Sequence, residues 1–193
     1  MLEKYLPEGW HLNPRFVVSY KHSLAVSDAA RRLANSISSL DPDTAYAYGL
    51  MHDVGKFHLE LGELYKHPRM GYELLRGQYL DIAEICISHA FPDFSSFDHI
   101  LRYCHDDTEE ADAVYHILQG IPRTSYIDLV QFCDKISGVD GWMLLESKFD
   151  WYLSKSGMIR DEITNHYDMS LRAIKHRLDE LAGEDVYGVL GIA

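Results

Sequence analysis

Apolar residues recur at helical spacing along most of this chain, and this pattern limits its fold more than any other feature. The clearest example is RFVVSYKHSLAVSDAARRLANSI, residues 15–37, in which Val18, His22, Ala29 and Leu33 fall on one broad face. Alternation of apolar and polar residues, which is typical of half-buried strands, is scarce. The sequence therefore predicts an all-α fold, arranged as a single-domain helical bundle.

Six further segments predict helices from their periodicity and from start signals such as Asp-Pro-Asp-Thr, which is typical of a helix N-cap. They are residues 41–57, 67–78, 79–91, 107–121, 124–141 and 161–183. The last residues, GVLGIA, predict an irregular end that packs on the bundle.

Composition restricts the class of protein and its partners. The 193 residues suit one compact domain, and 47% hydrophobic residues are enough for a substantial core. A net charge of −12 repels nucleic acid polymers and acidic membranes, so a phosphate-bearing ligand would need a local positive site such as a metal. Three scattered cysteines without a CxxC motif favour buried thiols in a reducing compartment. With neither a signal peptide nor a long apolar run, we expect a cytoplasmic protein.

Histidines and aspartates occur where a helical core would otherwise be apolar. They are His22, His52, Asp53, His67, His89 and Asp134. Each histidine alone is explained as a hydrogen-bonded core residue or a helix boundary, and Asp134 alone as a helix cap or bridge. A buried carboxylate is costly unless it is paired or bound to a metal, so carboxylates and imidazoles from separate helices could stabilise each other around divalent cations.

The order of these residues resembles the HD superfamily of metal-dependent hydrolases. The core motif is matched by His22, by His52 and Asp53 in MHDVGK, and by Asp134 in FCDKIS. HPRMGYELL is similar to the His-Pro-x-x-Gly-x-x-Leu-Leu element of dinuclear members, and ICISHA to their next histidine. The resemblance covers residues 15–140 and divides the single domain, 1–193, into this core and a helical extension, 141–193.

The resemblance implies two divalent metal ions. One ion would take His22, His52, Asp53 and Asp134, and the second His67 and His89, with Asp53 bridging. Such a centre activates a water molecule that hydrolyses a phosphate ester or anhydride of a small metabolite, and we expect a nucleotide. Nitrogen-rich ligands favour iron or manganese, with zinc, cobalt or nickel as alternatives.

Catalytic roles follow for Asp53 and for Lys56, which stands three residues later on the same helical face. Lys56 could bind a phosphate, pair with Asp53 or be a solvated surface lysine. Arg69 and Arg123 are further candidates for binding a substrate phosphate, although both could equally be surface arginines. Gly71 would let a neighbouring helix approach the centre, and Gly55 could do the same or provide loop flexibility.

Two other classes of function remain open. The same six ligands occur in di-iron oxygenases that resemble inositol oxygenase and the enzymes that cleave carbon–phosphorus bonds. A non-catalytic ligand-binding domain is the third hypothesis, and a missing ligand would favour it. His67 follows Asp53 by 14 positions, where related hydrolases of dinucleotides carry a longer insertion. Ala-Phe-Pro-Asp after His89 departs from the cyclic-di-GMP phosphodiesterases.

Two remaining features give weaker indications. A second His-Asp pair, His105 and Asp106, lacks the lysine and the apolar flanks, which favours a solvated helix start. The basic side of the last long helix, with Arg172, Lys175 and Arg177, predicts a solvated face or a homodimer surface.

Overall fold

The protein is described by a computed structural model that covers residues 2–156 and 160–192. Residues 1, 157–159 and 193, which the predicted domain and its extension include, lie outside the described part. Within that part the fold is all-α, as predicted, with one two-stranded hairpin. The helices are α1 Pro14–Ser36, α2 Pro42–Met51, α3 His67–Leu75, α4 Leu80–Ser88, α5 Phe97–Tyr103, α6 Thr108–Gln119, α7 Ser125–Ile136, α8 Leu145–Ser156, α9 Glu162–Ala182 and α10 Val186–Leu190.

Short 3-10 helices and the hairpin connect these helices. The 3-10 helices are Leu2–Tyr5, Trp10–Leu12, Val54–His58 and Leu61–Lys66. The hairpin consists of β1 (Ser137–Gly138) and β2 (Gly141–Trp142), which pair antiparallel directly after α7. The Trp142 indole N–H donates to the carbonyl of Ala25 over 3.0 Å, so the hairpin is attached to α1.

Side-chain caps set the beginnings of the main helices. Asn13 accepts from the backbone N–H of Arg15 at the start of α1, and Asp41 accepts from Thr44 at the start of α2. Both helices also carry proline in the first turn, where no intrahelical N–H is needed. Predicted and observed helix starts therefore agree closely at both places.

The core is formed where α1, α2, α7 and α9 pack together. The buried face of α1 contains the predicted Ala29 and Leu33, but Val18 is about half exposed. A Cβ at Gly49 would lie 2.7 Å from the Cα of Ser27, so only glycine allows α2 to cross α1 so closely. This tight crossing brings the end of α2 against the middle of α1.

Two expectations for the C-terminal part need correction or completion. The predicted irregular end is helical at residues 188–190, because α10 begins at Val186 and packs Val186 and Leu190 into the core, whereas residues 191–192 follow it without helical structure. On α9, Arg172 pairs with Glu146, Lys175 with Asp179, and Arg177 with Asp128. The basic side of α9 is therefore paired with acidic residues of the same chain. No helix of the described residues combines the length and apolar character that crossing a membrane requires.

Candidate metal centre

Six side chains that are far apart in sequence lie together in the bundle. They come from α1, the end of α2, the start of α3, the end of α4 and α7, and they are His22, His52, Asp53, His67, His89 and Asp134. Three overlapping groups of these residues each offer ligand atoms within 4.8 Å of one another. The structure thus brings together all six residues that the sequence predicts as metal ligands.

Helix ends explain how two neighbours in sequence reach one centre. Successive residues on a helix diverge by about 100°, so His52 and Asp53 cannot face the same point from within a helix. Met51 is the last residue of α2, and Asp53 has left helical geometry with φ −102° and ψ 10°. His67 opens α3, and His89 directly follows α4. These four positions therefore lie where the backbone can turn, whereas His22 and Asp134 lie within α1 and α7.

The orientation of three histidine rings is fixed by the chain itself. Nδ1 of His52, His67 and His89 lies 2.7 Å from the carbonyl oxygen of the residue three positions earlier, Gly49, Leu64 and Cys86 respectively. A carbonyl oxygen has no proton, so each Nδ1 must donate. In its neutral form, each ring therefore presents the lone pair of Nε2 to the centre, the arrangement that protein ligands of metals commonly have.

Polar atoms at the centre lack the partners that burial requires. The Nε2 atoms of His67 and His89 are 3.1 Å apart, although in the neutral rings neither carries a proton. Within the described part of the chain, Nε2 of His52 and Oδ1 of Asp53 are buried without a hydrogen bond. An unsatisfied buried polar atom costs about 1–3 kcal/mol. A cation among these lone pairs would satisfy them, so the donor set fits a divalent metal.

Asp53 occupies the middle of the group. Its Oδ1 lies 3.0 Å from Nε2 of His67 and 3.4 Å from Nε2 of His89. Its Oδ2 lies 3.4 Å from Nε2 of His52 and 3.8 Å from Nε2 of His22. The two carboxylate oxygens therefore face different pairs of histidines, as a bridging ligand requires.

Burial and the neighbouring charges shift the pKa values of these groups in opposite directions. Burial alone raises the pKa of Asp53, but His52 and Lys56 overcome it and hold that pKa well below the usual range. Burial lowers the pKa of His52, yet the two carboxylates Asp53 and Asp134 raise it to about 9. Burial lowers the pKa of His89 to about 3. A cation that binds here would displace the proton that the carboxylates favour on His52, because an imidazole that binds a metal must be neutral.

Two glycines allow the ligand-bearing helices to approach. A Cβ at Gly55 would lie 2.2 Å from the carbonyl oxygen of His67, so close approach rather than flexibility explains this glycine. A Cβ at Gly71 would lie 2.9 Å from Cβ of Cys86, which brings α3 against α4 near His89. Both positions set the distance between His67 and its neighbours.

Lysines stand beside both carboxylates. Nζ of Lys56 lies 2.5 Å from Oδ2 of Asp53, and Nζ of Lys135 lies 2.6 Å from Oδ2 of Asp134. The centre opens into a cavity of about 640 Å³, which both lysines line. Lys56 was predicted from the sequence, whereas Lys135 was not, although its position next to Asp134 is a usable signal.

The hairpin forms one wall of this cavity. Residues 137–143 line it together with Lys148 of α8, whose Nζ donates to the carbonyl of Ser137 over 2.9 Å. The hairpin was not anticipated, because residues 137–141 were predicted as the end of a helix. The helix α8 was anticipated only as part of the helical extension, 141–193, without bounds of its own. The cavity is large enough for a small molecule.

The two arginines predicted to bind substrate are engaged elsewhere. Arg69 makes a bidentate ion pair with Glu110, which is buried. Arg123 donates to Asp128 over 2.7 Å and to Gln131 over 2.9 Å. Neither arginine is among the residues that line the cavity. The structure therefore does not bring them to the centre.

The second His-Asp pair is also separate from the centre. His105 and Asp106 are exposed in the turn between α5 and α6, with φ of 54° and 63°. Asp107 then caps α6 by accepting from the N–H of Glu110. The pair therefore precedes the helix start that the sequence predicted, and Asp107 provides the cap.

Comparison with known proteins gives one match. A model of the HD domain family matches residues 19–138, a range that contains all six converging residues and both lysines. Neither the curated proteins nor the solved structures gave a match to this chain.

Proposed function

This chain belongs to the HD domain family, and we propose that it is a metal-dependent phosphohydrolase acting on a small phosphate ester or anhydride, with a nucleotide as substrate. The observation that carries the proposal is the convergence of four imidazoles and two carboxylates on one buried point beside a cavity. HD domains are typically metal-dependent hydrolases, so fold and donor set support the same chemistry.

The six residues would hold two ions in overlapping sets. His22, His52, Asp53 and Asp134 would hold one ion, and His67 and His89 would hold the other with Asp53 shared. Imidazole nitrogen with carboxylate oxygen suits transition metals, so we propose iron or manganese, with zinc, cobalt or nickel as alternatives. Two such ions supply Lewis acidity, which withdraws charge from phosphoryl oxygens and lowers the pKa of water.

The chain's own groups would prepare this chemistry. Lys56 and Lys135 place two ammonium groups at the cavity wall, where they offset the overall negative charge and attract a phosphate. The three carbonyl contacts keep the imidazole Nε2 atoms directed inward, so little reorganisation is needed when a ligand enters. The hairpin and α8 restrict access of bulk water on one side of the cavity.

The experiment combines metal analysis with a substrate panel. Protein purified anaerobically is analysed for metal content and then assayed for phosphate release from nucleoside mono-, di- and triphosphates. We expect two metal equivalents and release from at least one nucleotide. Asp53→Asn should abolish release and reduce both equivalents, because it removes the shared carboxylate charge.

A matched carboxylate variant controls for nonspecific effects. Asp43→Asn changes an aspartate with an 85% exposed side chain outside the centre and should leave metal content and activity unchanged. If Asp53→Asn hydrolyses every substrate as well as the unchanged protein, hydrolysis does not occur at this centre. Oxygen consumption without phosphate release would favour the oxygenase alternative instead.

A further inference from the structure

A second cavity lies beside the metal centre. It has a volume of about 450 Å³ and shares four lining residues with the first cavity: Lys56, His67, Tyr103 and Lys135. Its other walls come from the 3-10 helix Leu61–Lys66 and from α5, α8 and α9. The two cavities therefore adjoin, with these four side chains at their boundary.

Aromatic rings dominate the lining of this second cavity. They are Tyr65, His99, Tyr103, His105, Phe149 and Tyr167. The rings of Tyr65 and His105 are stacked with centroids 5.2 Å apart and planes 29° apart, and those of His99 and Tyr167 lie 4.7 Å apart at 37°. Rings of this kind offer flat faces on which a planar group stacks.

A left-handed turn brings one of these rings into place. His105 has φ 54°, which is uncommon for a residue with a side chain, and Asp106 follows with φ 63°. The turn ends α5 and leaves the His105 ring against Tyr65 at the edge of the cavity. The second His-Asp pair of the sequence thus contributes an aromatic face rather than a metal ligand.

The charge of the lining differs from that of the whole protein. Lys56, Arg102 and Lys135 contribute to it, and each pairs with an aspartate that lies outside the lining. No acidic side chain is present among the described residues that form the wall itself. The chain as a whole carries a net charge of −12. This local composition favours an anionic or electron-rich ligand over a cationic one.

Building on the proposed function, we propose that the second cavity binds the aromatic base of a nucleoside phosphate whose phosphate group lies at the metal centre. The cations shared by the two cavities stand between base and phosphate, where the negative charge of the substrate lies. The aromatic walls select for a planar base, and the sugar spans the boundary. The cavity then sets specificity for the organic part, while the six ligands act on the phosphate.

A cavity-filling variant tests this assignment without touching the metal ligands. Ile163 lines the second cavity from α9, so Ile163→Trp should occupy the space of the base. Met169→Trp introduces the same side chain on the same helix at a site that is 68% exposed, and it serves as the matched control. Circular dichroism shows whether both variants remain folded.

Binding to metal-free protein is the first measurement. Adenosine, guanosine, cytidine and uridine, which lack phosphate, are tested by calorimetry. We expect at least one nucleoside to bind, with affinity reduced about tenfold or more by Ile163→Trp and unchanged by Met169→Trp. Tyr65→Leu, which removes one stacking face, gives a second, smaller change in the same direction if Ile163→Trp fails to fold. Absence of binding by all four nucleosides would overturn the proposal.

The second measurement separates this proposal from phosphohydrolase activity itself. With metal bound, kcat/KM for a nucleoside monophosphate should exceed that for ribose 5-phosphate, which lacks the base, by about tenfold, and Ile163→Trp should remove this preference. Equal hydrolysis of both substrates would overturn the role of the cavity but leave the proposed function intact. Nucleoside binding without hydrolysis of any phosphate ester would support the cavity and contradict the proposed function.

Discussion

Nε2 of His67 lies 3.1 Å from Nε2 of His89, and in both rings the Nδ1–H donates to the backbone carbonyl three residues earlier. The two facing lone pairs repel each other without a cation and would hold one together. We therefore expect His67→Leu to lower the melting temperature of metal-loaded protein but not that of chelator-treated protein. An ion at 100 times its Kd contributes about 2.7 kcal/mol to folding, and the variant loses that contribution for one ion.

Differential scanning calorimetry of both forms measures this difference. His176→Leu, at a histidine whose side chain is 74% exposed, is the control and should behave alike with and without metal. An equal decrease in both forms of His67→Leu would mean that His67 contributes packing rather than a ligand.

Lys56 should affect turnover more than folding. Its ammonium contacts Oδ2 of Asp53 at the wall of the cavity. We expect Lys56→Met to reduce kcat by about 10²-fold, because a preorganised cation beside the reacting phosphate is lost. Lys56→Arg keeps the charge and should retain part of the rate. Phosphate release and metal content are measured together, and an unchanged kcat in Lys56→Met with full metal content would contradict a role in the reaction.

Gly55→Ala should displace the start of α3. The added Cβ would collide with the backbone carbonyl of His67, and overpacking of this kind costs about 1–3 kcal/mol. We expect lower stability in urea and weaker retention of one metal equivalent. Gly62→Ala is the matched control, since a Cβ there meets no atom within 4 Å. Equal stability of the two variants would show that the chain relaxes around Gly55.

Arg123→Met should destabilise the fold without changing KM. Its guanidinium pairs with buried Asp128 and donates to Gln131, away from both cavities. Loss of hydrogen bonds to a charged buried group costs about 1.5–3 kcal/mol. Arg177 still contacts Asp128, which favours the lower part of this range. A raised KM with unchanged stability would instead restore Arg123 as a substrate-binding residue.

His99 should make stability depend on pH. Burial, together with Lys135 and His166, lowers the pKa of His99 to about 4, while Asp93 opposes this shift. In the unfolded chain, where His99 has an ordinary pKa near 6.5, the imidazole binds a proton between about pH 6.5 and 4, whereas in the folded protein it remains neutral over this range. Neutral His99 therefore contributes to the free energy of unfolding above about pH 6.5, and this contribution, at most about 3 kcal/mol, is lost as the pH falls towards 4.

The variant His99→Phe isolates this contribution. Urea unfolding of chelator-treated protein is measured at pH 4.5, 5.5 and 7, and the stability of the variant should decrease less on acidification than that of the unchanged protein. Parallel decreases in the two proteins would mean that other groups, such as His89, cause the whole effect.

Sequence periodicity was sufficient for the long helices because their buried faces are continuous. Ala29 and Leu33 on α1 repeat at helical spacing and are fully buried. The helices α5, α8 and α10 were missed because each is short or lacks a distinct apolar stripe in isolation. Tertiary packing decides their conformation, as at Val186, which α10 inserts into the core.

The six candidate ligands could be anticipated because their order and the MHDVGK and HPRMGYELL motifs resemble the HD superfamily. The cost of burying polar residues in apolar helices supports that assignment but would not have selected the set by itself. The other residues that line the cavity could not be anticipated, because their positions depend on how separate segments pack. Lys135 is adjacent to a ligand, whereas Tyr103 and Lys148 reach the first cavity only through the packing of α5 and α8. Arg69 and Arg123 were named as candidates for binding a substrate phosphate or as surface arginines. Their pairing could not be anticipated, because Glu110 and Asp128 are brought to them by the packing of separate segments.

Because Nδ1 of three histidines donates to the carbonyl three residues earlier, the orientation of these rings and the distances between them are determined by different parts of the structure. The orientation of each of these three imidazole rings depends on a hydrogen bond within four consecutive residues, so it is set by the local turn. The distances between the donor nitrogens depend instead on the glycines and on the way that helices distant in sequence cross. Mutations in the core can therefore widen or narrow the gap between donors without rotating a ring, which gives the chain a route to accommodate ions of different radius.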